Sequence, residues 1–271
     1  MAATTLPAVD GAPSVGALLR EWRRRRRLSQ LDLANAAAVS ARHLSFVETG
    51  RSKPSPELVM HLADHLDVPL RERNTLLLAA GFAPRYPQTS LGATAMAPVR
   101  EALDTILAGH HPFPAVVADR HWNLVTANEA AFGLLTQGVA AELLRPPANV
   151  LRVSLHPDGM APRIANFASW AVHLVDRVRR EAATTGDPVL VDLHAELCGY
   201  PGVAGSESAL DTVGNVFVPL VLRMDDGSEL SFLNTVATFG TARDVTVEEL
   251  TIESFFPADA RTAATLRDLW A

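Results

Sequence analysis

"SQLDLANAAAVSARHLSFVETGRS", residues 29–52, contains two short helical periods separated by a turn. Ser29 stands before "QLDLANAA" with Asp32 three residues on, close to a capping box, and Ser40 stands before "ARHLSFVE", which Gly50 ends. A serine at such a position accepts one of the backbone N–H groups that the first helical turn leaves unpaired, so each serine marks a helix start. Helices this short are not stable alone, and the flanking sequence must complete a core.

It does so on both sides. Upstream, Val15, Leu18, Leu19 and Trp22 fall at i, i+3, i+4 and i+7 and form one apolar face, with Arg20 and the run Arg23–Arg27 around and beyond it. Downstream, Ser55-Pro56 opens "PELVMHLADHL", and a fifth helix over residues 70–80 stops at Gly81. The prediction is an all-α five-helix helix-turn-helix domain over residues 14–81, with Leu31, Leu44, Leu58 and Leu62 in its core. Residues 1–13, small and aperiodic with two prolines, read as a disordered start.

Pro84, Pro87 and Gly92 place a linker at residues 82–97. The second domain, 98–271, begins with the helix "PVREALDTILAG" and then changes period. "AVVADRHWNLVTAN" reads as two strands about a tight turn, and its Asn128 caps the helix "EAAFGLL". Residues 165–183 form a strong helix. "VFVPLVLRMDDGSELSFLNTVATFG" is a hairpin turning at Asp225-Asp226-Gly227, "ELTIESFFPA" a fifth strand, and the last residues a closing helix. The class is α+β, with helices on one face of the sheet.

Charge divides along the same boundary. Residues 15–86 hold 12 Arg/Lys against 7 Asp/Glu, a net of +5, whereas the rest of the chain holds 12 against 23, a net of −11. One end is built to approach an anion and the other would repel it. The single cysteine, Cys198, excludes an internal disulfide framework and fits a reducing cytoplasm. No apolar run approaches a membrane span, and the arginine run leads into Ser29, Gln30 and Asp32 rather than a signal-peptide core.

Residues 15–80 resemble the XRE-type helix-turn-helix family, on the cap and glutamine that begin the second helix, the turn "AAAVSA" and the glycine-ended "ETGR" after the third. The resemblance implies double-stranded DNA as partner, with the third helix in the major groove. Carried over by position, Ala41 and Arg42 face the groove first and Ser45 and Phe46 one turn later. Arg42 is the candidate for a bidentate guanine contact, and Phe46 either meets a thymine methyl or is partly core. Gln30 would grip a phosphate and brace the recognition helix. Ser40, His43, Arg51 and Lys53 are further phosphate candidates, and Arg24–Arg27 supply either phosphate contacts or a diffuse field.

Residues from 98 on resemble the PAS-type ligand-binding domain of MmyB-like regulators, through "ADRHWNLVTAN", "NVLRVSLHPDGM", "IANFASWAVHL", "ELCGYPGV" and "FGTARDVTVEELTIESFFPADARTA". That resemblance implies an antiparallel five-stranded sheet and a cavity for a small, mainly apolar effector such as a fatty acid, with no other cofactor. Such a cavity needs apolar walls and a few orienting polar groups. Trp122, Phe132, Phe167, Trp170, Phe217 and Phe232 are the candidate walls, and Asn128, His156, Asn166, His173 and Thr235 the candidate polar contacts.

Catalytic signatures are sparse. G-x-G-x-x-G, Walker and G-x-S-x-G motifs are missing from the sequence, and no convincing phosphate-binding helix follows "GYPGVAGSES". His194 and Cys198 stand at i and i+4 beside the acidic Asp192 and Glu196, a poor setting for a thiolate. His61 and His65 share the H-x-x-x-H spacing of some zinc sites but lack the glutamate beside the first histidine. The expectation is a cytoplasmic, nucleoid-associated, homodimeric transcription regulator that senses a small apolar effector and is not an enzyme. The alternative is constitutive DNA binding, with a second domain that serves only dimerisation or protein interaction.

Overall fold

Each of the first four helices begins where a serine offers an acceptor. In the computed structural model, which describes residues 13–203 and 217–270, Ser14 opens α1 (Val15–Arg25), Ser29 opens α2 (Gln30–Ala36), Ser40 opens α3 (Ala41–Glu48) and Ser55 opens α4 (Pro56–His65). Every one of these hydroxyls accepts from the N–H three residues on, and Ser29 with Asp32 forms a full capping box. α5 (Leu70–Ala79) follows Pro69 with no side-chain cap. The start read as disordered lies, through residue 12, outside the described residues.

The helix ends share a second device. Gly50 and Gly81 turn left-handed after α3 and α5, as glycine does readily, but Arg27, Ala38 and Asp67 adopt the same backbone at φ 57°, 51° and 46°. At each, the next amide reaches back into the last turn: Leu28 N–H to Arg23 O, Val39 N–H to Ala34 O and Val68 N–H to Ala63 O. These bonds offset a backbone that costs an L-residue about 1–2 kcal/mol.

Leu19, Trp22, Leu33, Leu44, Val47 and Leu62 meet in the core of this bundle. α1 and α3 come so close that a Cβ on Gly16 would lie 2.3 Å from the Val47 carbonyl oxygen. Leu58 packs at the core edge, but Leu31 is 59% exposed, contrary to the expectation that it is core. The reason is angular. At about 100° per residue, Leu31 and Leu33 point to nearly opposite sides of α2, and Leu33 takes the inner one.

In the second domain, α6 (Ala97–His110) precedes β1 (Ala115–Ala118) and β2 (Leu124–Ala127). Then come α7 (Glu129–Leu135), α8 (Val150–Leu155), α9 (Phe167–Thr185), α10 (Pro188–Cys198), β3 (Leu220–Arg223), β4 (Glu229–Thr238), α11 (Val245–Glu248), β5 (Thr251–Pro257) and α12 (Ala260–Leu269). The strands form an antiparallel five-stranded sheet in the order β2-β1-β5-β4-β3, with Val117 opposite Ile252 and Leu220 opposite Phe232. Gly227, at φ 80°, closes the β3–β4 hairpin at the expected turn.

Helices cover the sheet on both faces, not one. Val116 and Ala118 join the large core with Trp170, Leu174 and Phe232, while Ala115 and Val117 pack with Leu103 and Leu107 of α6. Successive residues of β1 therefore enter different cores, and its four residues are all buried, a pattern normal for a strand sandwiched on both sides.

The chain divides into two units: residues up to Ser90 with Thr241–Glu248, and Leu91–Gly240 with the residues from Glu249 on. The segment read as a linker is thus shared. Asn74 holds Arg85 and Tyr86 to the first unit, while Arg100 binds the carbonyls of Leu91 and Ala93 in the second. The returning segment that carries α11 is fixed in the first unit by Val245 N–H to Pro87 O (2.9 Å). The Thr89 and Leu70 N–H groups also donate to the carboxylates of Asp244 and Glu248.

Candidate nucleic-acid interface and ligand cavity

On α3, Leu44, Val47 and Glu48 point inward, so Arg42, Ser45, Phe46 and Thr49 occupy the outer side at i, i+3, i+4 and i+7. Arg42 and His43 are exposed, and Ala41, Ser45 and Phe46 are half-buried. The Arg42 guanidinium lies 5.4 Å from the Phe46 ring centre, a stack that holds it in place before any partner arrives. Ser40 spends its acceptor on the His43 amide, and Arg51 and Lys53 are exposed beyond the Gly50 turn.

The arginine run does not act as one patch. Arg23 is 8% exposed and grips Glu48 through two bonds, Nε to Oε1 at 2.7 Å and Nη2 to Oε2 at 2.8 Å. Gln30 donates to the same carboxylate at 2.7 Å, so its amide nitrogen braces α3. Burial alone would push the Glu48 carboxyl up, but the hydrogen bonds from Arg23 and Gln30, with the nearby positive charge, hold it below the usual carboxylate range. Arg26 donates to the Leu66 and Asp67 carbonyls at the end of α4, and Arg25 pairs with Glu21 over the Trp22 ring. Arg24 and Arg27 are the exposed members of the run. The Arg23–Glu48 pair was not foreseen, although position 23 directly follows the buried Trp22.

A cavity of about 270 Å³ lies between the inner face of the sheet and helices α7, α8 and α9. Its wall is largely apolar, from Val116, Leu124, Leu151, Met160, Leu174 and Phe255 among others, with side-chain polarity from Thr136, Ser154, Trp170 and Glu253. Trp170 Nε1 donates to Ser154 Oγ at 3.1 Å. Glu253 accepts from Arg177 (2.5 Å) and from Asn234 (3.2 Å), while Arg177 also bonds Glu181 and stacks 4.3 Å from the Trp122 ring.

Of the residues expected to meet a ligand, the structure brings Phe132 and Trp170 to the cavity wall. Trp122 is buried at a strained φ of 66° with its indole N–H on Glu181, and Phe232 is core. Asn128 caps α7 and holds the Ala115 amide, and Asn166 bridges the Pro219 carbonyl and the Val221 amide. His173 tilts against Trp170 from behind, and burial with the Arg177 and Arg180 charges pushes its pKa down. Phe167 packs by Gly202, His156 meets Tyr200 edge to face, and the Thr235 hydroxyl donates to the Ser254 carbonyl. Phe217, just before β3, is 56% exposed and is not among the residues lining this cavity. The wall residues missed, such as Val116, Leu151 and Ser154, carry no sequence mark that separates a wall from a core.

His194 Nε2 and Cys198 Sγ are 3.7 Å apart. Among the described residues no group of three or more His, Cys, Asp or Glu gathers as a metal site; the His61 and His65 rings meet edge to face, with His61 bonded to the Ala37 carbonyl. No described helix is long and apolar enough to cross a membrane.

A helix-turn-helix unit, and a second domain carrying an apolar cavity, are the parts of a DNA-binding transcription regulator, and the family matches assign that class. Residues 14–76 match a helix-turn-helix domain family, and residues 99–269 match the MmyB-like transcription regulator ligand binding domain. The chain belongs to the MmyB-like transcription regulator family. Among solved structures it is similar to the clp gene regulator ClgR from Corynebacterium glutamicum, at 28% identity over 36% of this chain and 90% of that one, with a TM-score of 0.22. It is also similar to an RNA-binding light-oxygen-voltage receptor, at 15% identity over 95% of this chain and 62% of that one, with a TM-score of 0.27. Neither superposition is close enough to define the fold. No curated protein sequence matches the chain significantly.

Proposed function

We propose that this protein is a sequence-specific regulator that binds duplex DNA as a homodimer and changes its operator affinity when a small apolar effector fills the second domain. α3 would enter the major groove with Arg42 on a guanine and Ser45 and Phe46 one turn on. Ser40, His43, Arg51, Lys53, Arg24 and Arg27 would hold phosphates. Gln30 would position α3 through Glu48. Two copies reading half-sites about 34 Å apart multiply the few base contacts one head makes.

The observation that carries the sensing half is the cavity. A platform needs no pocket, whereas this domain carries one of about 270 Å³ with largely apolar walls. That volume is near the lower end of ligand pockets, roughly 300–1,000 Å³, which fits a small apolar molecule or one end of a chain such as a fatty acyl group. Coupling of roughly 1–3 kcal/mol between cavity and operator would give a 5- to 150-fold response.

The test is a genome-wide footprint of the bound protein with and without candidate effectors. Discrete sites whose occupancy shifts with effector are expected. If purified full-length protein ignores duplexes of every sequence at low ionic strength, the DNA reading falls; if occupancy never responds, the sensing reading falls.

A further inference from the structure

The cavity's polar groups have a sign. Ser154 is 9% exposed and lines the wall. Its oxygen already accepts from the Trp170 indole, and its own proton has no acceptor among the described residues. The hydroxyl is therefore a donor waiting for an acceptor. The charged side chain on the wall is Glu253, negative and 5% exposed. Among the described residues no cationic side chain lines the cavity, and Arg177 is turned onto Glu253, Glu181 and the Trp122 ring.

These groups treat a carboxylate and a neutral acceptor differently. A buried carboxylate must keep a cation or several donors to offset its lost hydration. Here it would find a second carboxylate and, since the Thr136 hydroxyl donates to the Phe132 carbonyl, the Ser154 hydroxyl as its side-chain donor. A carbonyl or ether oxygen needs only the hydroxyl, and repels Glu253 far less.

Building on the reading of this domain as an effector sensor, we propose that the cavity selects an uncharged apolar molecule bearing a hydrogen-bond acceptor, of the ester, lactone or ketone type, whose oxygen accepts from Ser154, and discriminates against the free carboxylate of the same chain. If the effector is derived from a fatty acid, it enters with its head group masked.

The test uses the full-length protein, calorimetric titration at neutral pH, and two probes of equal chain length, methyl octanoate and sodium octanoate. The ester is expected to bind on the order of tenfold tighter or better, the scale set by leaving one buried polar group uncompensated. Ser154→Ala should narrow that ratio. Because this change also strips the Trp170 indole of its acceptor, Glu253→Gln supplies an independent reading: with the negative charge gone and Arg177 released, octanoate should gain about tenfold relative to the ester. Octanoate binding as tightly as the ester to the unaltered protein, or an unmoved ratio in Glu253→Gln, would overturn the head-group selection and leave the sensor reading standing. Failure of both probes and of the neutral apolar dye Nile red would overturn the two together.

Discussion

Arg23 and Glu48, 25 residues apart, face each other in a two-pronged ion pair that ties the end of α1 to the last turn of α3. Their side chains are 10% and 1% exposed, so neither charge has water to fall back on. The helix assigned to DNA reading is thereby held from behind by a cation of the arginine run.

Removing one partner leaves the other buried and unpaired. Arg23→Leu should destabilise the helix-turn-helix unit by about 3–5 kcal/mol, whereas Arg23→Leu combined with Glu48→Leu should recover much of the loss. Denaturant unfolding followed through Trp22 measures both; a double variant no better than the single one would show that the pair is not the source of the effect.

The same pair sets a dependence on acidity. The Glu48 pKa is lower folded than the ordinary carboxylate value, so its contribution is complete above that ordinary value, about 4.3, and disappears as pH falls through the depressed one. Stability of this unit should stay level from neutrality to about pH 5 and then decline, more steeply than in Glu48→Gln. Equal slopes for the two proteins would contradict the assignment.

Ala38 occupies a left-handed backbone at φ 51° in the turn between α2 and α3. Ala38→Gly should raise stability by about 0.5–1 kcal/mol, and Gly50→Ala, at φ 73°, should lower it by a similar amount. Thermal unfolding gives the sign directly.

Arg42→Ala should cost roughly 1–3 kcal/mol of operator affinity and relax preference at one base pair. A loss spread evenly over all sequences would instead make Arg42 a phosphate contact.

Members of the arginine run should separate by role. Arg24→Gln with Arg27→Gln should weaken binding to every DNA alike and flatten the salt dependence by about 0.9 in log–log slope per lost phosphate contact. Arg26→Gln removes donors to the Leu66 and Asp67 carbonyls and should lower thermal stability. An unchanged slope in the first case would retire the phosphate role.

The helical head was readable in the sequence because its signals are local. Ser29, Ser40 and Ser55 each stand directly before the helix they cap, and Gly50 and Gly81 end theirs. The hairpin at Gly227 was readable for the same reason. The cavity was not, since a wall residue such as Leu174 and a core residue such as Leu222 differ only in what lies beyond them. Asn128 caps α7 as its position before that helix foretold, and Asn166 likewise satisfies backbone groups, while the plainer Ser154 and Glu253 line the cavity. α10 escaped because its alternating valines resemble a strand, although Asp187 with Pro188 is a helix-opening signal.

Since residues 241–248 belong with the head while the strands on either side of them do not, neither unit is one uninterrupted stretch of chain. Cutting the gene after codon 90 would release a head stripped of α11 and of the carboxylates that engage the Leu70 and Thr89 amides. A faithful miniature has to be stitched, with residues 14–90 joined by a short artificial loop to 241–248, and dissections made by simple truncation would understate what the head does by itself.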